Sequence, residues 1–221
     1  MLDIPPPTDV ITLVFLAWTA GTASLGALTR TWGEVDAGHF KVVWLTVAGL
    51  GIASGFGYRP AFIVGALGLV TFAAIYRNLD AASGVATALA ALVVLGFGGP
   101  AYGFAVALLL GAVTNAMLLG HWHLNQPRLG TKPIARLVWS LWIALGVFIA
   151  ASATLLVVSG AGVRSLGGAT AIAFTAFCGI LTAMVQHLVR TRSIMSATGI
   201  LYLEILMLLV SAFTGSLAAL A

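Results

Sequence analysis

Four histidines and one carboxylate carry most of the chemistry open to this sequence. His121 and His123 lie in the segment Gly120-His-Trp-His-Leu-Asn-Gln-Pro-Arg128, while His39 opens one apolar stretch and His187 nearly closes another. The segment gathers ring nitrogens, the Trp122 indole, the Gln126 amide and the Arg128 cation, a set that could dock a polar headgroup. A quinone fits that inventory, because a histidine and an amide or carboxylate can hydrogen-bond its two carbonyls and exchange protons as it is reduced. The expected binding set is therefore His121, Trp122, His123, Gln126, Arg128 and His39, with His187 and Glu204 as the proton-exchanging pair. An interfacial belt is the competing reading, with Trp122 anchoring a helix end at headgroup depth and the histidines merely solvated.

Metal chemistry is a weaker fit. Residues two apart on a helix point about 200° from each other, so His121 and His123 would share an ion only if the helix unwound after Gly120. The segment has no cysteine or carboxylate to complete a ligand set, and no metal site is expected. Haem b is the other candidate cofactor, held axially by His187 with His121 or His123. Without a second histidine pair at the opposite face, haem alone would not carry electrons across a membrane.

Glu204 lies within Gly199-Ile-Leu-Tyr-Leu-Glu-Ile-Leu-Met-Leu-Leu-Val210, the single acid deep in an apolar run. A carboxylate at such depth is costly and marks a functional site by default. The plainer alternative is an interhelical hydrogen bond to a hydroxyl or amide such as Asn115. Thr175, Cys178, Thr182 and Gln186 follow one helix face and form a polar stripe toward His187, which reads either as a proton path or as packing between helices.

These residues need elements to hold them, and composition says which. The 221 residues are 61% hydrophobic and 7% charged, against about 25% charged in a soluble domain. Hydrocarbon cannot hydrogen-bond a backbone, and the apolar runs lack period-2 alternation, so helices rather than barrel strands are expected. Stretches of near-spanning length occur at 9–29, 40–56, 61–76, 81–98, 101–120, 134–158, 166–189 and 194–217. The expected fold is an all-α integral membrane protein of eight transmembrane helices, one domain over residues 1–221. Prolines agree: Pro5, Pro6 and Pro7 precede the first span, Pro60, Pro100 and Pro133 begin helices, and Pro127 lies in a loop.

Arg30, Lys41, Arg77, Arg128, Lys132, Arg136, Arg190 and Arg192 fall at the odd-numbered loops; Arg59 and Arg164 fall on the other side. That asymmetry predicts cytoplasmic odd-numbered loops, both termini outside, and a plasma (inner) membrane location. It also separates spans three and four, since joining them would bury Arg77-Asn78-Leu79-Asp80 in lipid at several kcal/mol. The start, MLDIPPPTDV, lacks the basic residues of a cleaved leader, so the first helix is expected to stay. Leu25-Gly26 and Leu119-Gly120 hold similar places near the ends of spans one and five, suggesting parallel repeat halves at 9–98 and 101–217.

Two four-helix halves without cofactor-ligating cysteines resemble, in outline, the quinol-handling NrfD/PsrC-type membrane subunits of respiratory complexes. That resemblance implies a redox subunit or anchor with partner subunits in the same membrane. The rival readings are a small proton-coupled transporter or channel using Glu204, and a structural or assembly protein without catalysis. Phosphate-loop, serine-elbow and His-Glu-x-x-His signatures are missing, which argues against nucleotide or soluble-type hydrolysis. The net charge of +4 follows from the loop cations and anionic lipid, not from nucleic acid.

Overall fold

Among the described residues, the eight apolar runs form eight α-helices. The computed structural model describes residues 9–98, 101–126, 128–158 and 166–220, and within them no strand occurs. The helices are α1 (Val10–Thr31), α2 (Ala37–Gly55), α3 (Ala61–Ala74), α4 (Asp80–Gly98), α5 (Ala101–Trp122), α6 (Lys132–Val158), α7 (Leu166–Arg190) and α8 (Ile194–Leu220). The expected boundaries hold to within three residues at each described end. Asp9 caps α1 by accepting from the Thr12 backbone N–H, and Pro60 caps α3. Arg164, Pro5, Pro6, Pro7, Pro100 and Pro127 lie outside the described residues.

Helices α3 and α4 are separate, as the Arg77-Asn78-Leu79-Asp80 sequence predicts. A 3-10 turn at Ile75–Arg77 ends α3, Asn78 turns the chain with φ 55°, and Asp80 starts α4. Asparagine tolerates that left-handed conformation better than most residues. The 14 residues of α3 rise about 21 Å and its 3-10 extension adds about 6 Å, just short of the ~30 Å hydrocarbon core. The other seven helices are long and apolar enough to cross a membrane.

Surface chemistry agrees with lipid rather than water outside. Ile143 is 64% exposed, Leu89 59% and Ile180 58%, all within helices, whereas Thr71, Asn115, Thr182, Glu204 and Ser211 are buried. A soluble protein seldom exposes so much contiguous apolar surface. The chain is an all-helical, multi-pass membrane protein.

Two compact units divide the chain at Gly111 and Ala112, within α5. In the first unit, α1 packs on α2 and α4, α2 on α3, and α3 on α4. Small residues permit the close approaches: a Cβ on Gly51 would strike the Gly65 backbone, and one on Gly68 would strike Ala48. Gly21 on α1 similarly meets the backbone of α5 at Ala107 and Gly111. Without a water-driven force between helices in lipid, such contacts and interhelical hydrogen bonds hold the bundle. Thr71 and Thr87 join α3 to α4 at 2.8 Å, and Arg30 pairs with the buried Asp80 at 2.5 Å to join α1 to α4.

In the second unit, α7 and α8 form the main hairpin, with α6 against α7. Thr175, Cys178, Thr182, Val185 and Val189 on α7, and Ala197, Leu201, Glu204, Leu208 and Ser211 on α8, are all buried. Both sets alternate steps of three and four, the spacing of a coiled-coil seam. Two hydrogen bonds fix its register, Thr182 to Glu204 and Thr175 with Ser211, seven residues apart on each helix.

Candidate ligand and proton site

His123 is held by the end of α5. Its Nδ1 lies 3.0 Å from the Leu119 carbonyl, one turn earlier. A carbonyl only accepts, so Nδ1 carries a proton, and in the neutral imidazole Nε2 then keeps a lone pair. That Nε2 is buried and has no hydrogen-bond partner among the described residues. The chain then turns through Asn125 and Gln126, whose backbone N–H groups both donate to the Trp122 carbonyl. Trp122 and Gln126 are half-buried, while His121 and Arg128 are exposed. Gly120 lets this helix end approach α8, because a Cβ there would strike the Thr198 hydroxyl.

Glu204 occupies a second level. It lies six residues beyond Thr198 along α8, about 9 Å deeper. The side chain is fully buried, with Oε1 accepting from Thr182 at 2.5 Å and Oε2 lacking a hydrogen-bond partner among the described residues. Thr182 has one hydroxyl proton and a second acceptor, the Cys178 carbonyl at 2.9 Å. It can serve only one acceptor fully, so a proton brought by Glu204 itself would complete the set.

The expected residues thus fall into separate groups. His39 belongs to the first unit, fully buried at the start of α2 with its ring edge-on to Phe40. His187 is exposed in the last turn of α7, off the α8 seam, and no hydrogen bond joins it to His121, His123 or Glu204. The polar stripe on α7 is engaged in packing: Thr175 and Thr182 bond to α8, and Gln186 accepts from Trp142 on α6 at 3.0 Å. Glu204 meets a hydroxyl on the neighbouring helix, that of Thr182, a partner of the kind the interhelical hydrogen bond requires. Among the described residues no cluster of three histidines, cysteines or carboxylates could hold a metal ion.

Sequence reading missed the Arg30–Asp80 pair, whose partners are 50 positions apart and carry no local signal. It also missed that His123, and not its neighbour His121, has the oriented nitrogen. The i, i+4 relation of His123 to the Leu119 carbonyl was the available clue. No family model, curated protein or solved structure matches this chain.

Proposed function

We propose that this protein is an eight-span subunit or anchor of a membrane redox complex, binding a quinone or quinol headgroup beside His123. One observation carries the reading: a tautomer-fixed imidazole whose acceptor nitrogen is buried and unpartnered at a helix end. A quinol hydroxyl is a donor of the right kind, and Trp122 and Gln126 adjoin it in the same turn. The segregation of Arg30, Arg77, Arg128, Arg190 and Arg192 at odd-numbered loops supports a cytoplasmic location for this level, with both termini outside a plasma (inner) membrane.

The test is titration of the purified protein in lipid nanodiscs with a short-chain ubiquinol, read by tryptophan quenching. Wild type is expected to saturate, and His123→Ala to weaken binding about three- to tenfold, the worth of one hydrogen bond. His123→Gln, which keeps an acceptor, should recover part of the loss. Wild type without saturable quenching, or His123→Ala indistinguishable from it, would defeat the proposal. A second reading, proton-coupled transport, is favoured by the unpartnered Glu204 oxygen. It predicts proton flux into liposomes without quinol.

A further inference from the structure

A groove between the start of α6 and the end of α7 is lined by Ala135, Val138, Trp139, Gln186, Val189 and Arg190. We propose that it holds the headgroup of an anionic phospholipid. Its apolar floor is Ala135, Val138 and Val189, the right surface for the upper part of an acyl chain. Trp139 is 58% exposed near the first turns of α6, where an indole can sit at headgroup depth. The Gln186 amide is held by the Trp142 indole on its oxygen, which leaves its NH2 group as an oriented donor. Arg190 is exposed in the last turn of α7, and among the described residues it pairs with no carboxylate.

Charge selects the lipid class. Arg128, Lys132, Arg136, Arg190 and Arg192 gather at this end of the second unit, while Glu204, the only acid after residue 111, lies mid-helix. A zwitterionic headgroup would bring its own ammonium among these cations; an anionic one brings net negative charge to a guanidinium and an amide N–H. Basic recesses between spanning helices favour such headgroups.

The proposal is tested by native mass spectrometry of the full-length protein titrated with phosphatidylglycerol or phosphatidylcholine. Wild type is expected to retain one phosphatidylglycerol about fivefold more tightly than phosphatidylcholine, the preference of one near-surface cation. Arg190→Gln should abolish the preference, Arg190→Lys should keep most of it, and Trp139→Ala should weaken retention of both lipids alike. Arg192→Gln removes the same charge from the same loop without lining the groove, and should retain the bound lipid. Equal loss in Arg190→Gln and Arg192→Gln would reduce the effect to bulk charge and overturn the site. Equal retention of both lipids would overturn the charge assignment. Displacement by inorganic phosphate would show a phosphate site instead, and displacement by a neutral short-chain quinone would reassign the groove to quinone.

Discussion

At the residue scale, Glu204 and His123 show how differently buried polar atoms can be treated. Each has one atom engaged and one idle: Nδ1 and Oε1 are bonded, Nε2 and Oε2 are not. An unmade bond at a buried polar atom costs about 1–3 kcal/mol, so two such atoms in one unit invite a ligand or proton. For Glu204 the structural and chemical roles can be separated. Glu204→Gln keeps an acceptor for Thr182 and removes the titratable proton. It should leave the thermal midpoint near wild type while abolishing proton coupling, in flux or quinol turnover. Thr182→Val removes the hydrogen bond instead, and should lower stability by about 0.6–2 kcal/mol in a denaturation assay. A midpoint that falls as far in Glu204→Gln as in Thr182→Val would make the carboxylate packing material only.

At the element scale, close helix approach depends on which glycine faces a neighbour. Gly49 and Gly51 are both on α2, yet a Cβ on Gly49 has open space and one on Gly51 meets the Gly65 backbone at 2.6 Å. Gly49→Ala should therefore be neutral or gain up to ~1 kcal/mol of helix propensity. Gly51→Ala should lose about 1–3 kcal/mol, because backbone cannot rotate away as a side chain can. Midpoints in a detergent denaturation series distinguish the two, and equal effects would contradict the α2–α3 crossing. The α7–α8 seam follows the same logic with hydrogen bonds in place of glycines. Its polar stripe was visible as an i, i+3, i+7, i+11 pattern, but its partner positions on α8 were not. Periodicity gives the face of a helix and says nothing of what covers it.

At the scale of the whole molecule, the proposed orientation can be tested with cysteines because the native one is silent. Cys178 is fully buried. Arg59→Cys should react with a membrane-impermeant maleimide in intact cells, whereas Arg77→Cys and Ser193→Cys should react only after permeabilisation. The reverse pattern would invert the topology, and labelling of Arg59→Cys and Arg77→Cys from the same side would remove α3 from the spanning helices. That helix is the shortest of the described α-helices, with 14 residues before its 3-10 turn.

By itself, the sequence determined the helical class and the helix boundaries. Those properties are local: a run of apolar residues must satisfy its own backbone in hydrocarbon, and Pro60 or Arg77-Asn78-Leu79-Asp80 ends a helix wherever the chain goes next. Which polar atoms are used was decided only in three dimensions. The sequence reading placed all four histidines in one candidate site, yet His39 is enclosed in the first unit, His121 and His187 are exposed, and His123 turns one nitrogen to its own helix and leaves the other buried. Asp80 read as a loop charge and is a buried partner of Arg30. Hydrogen bonds act over about 3 Å, so their partners follow from tertiary packing, which brings together residues that the sequence leaves many turns apart.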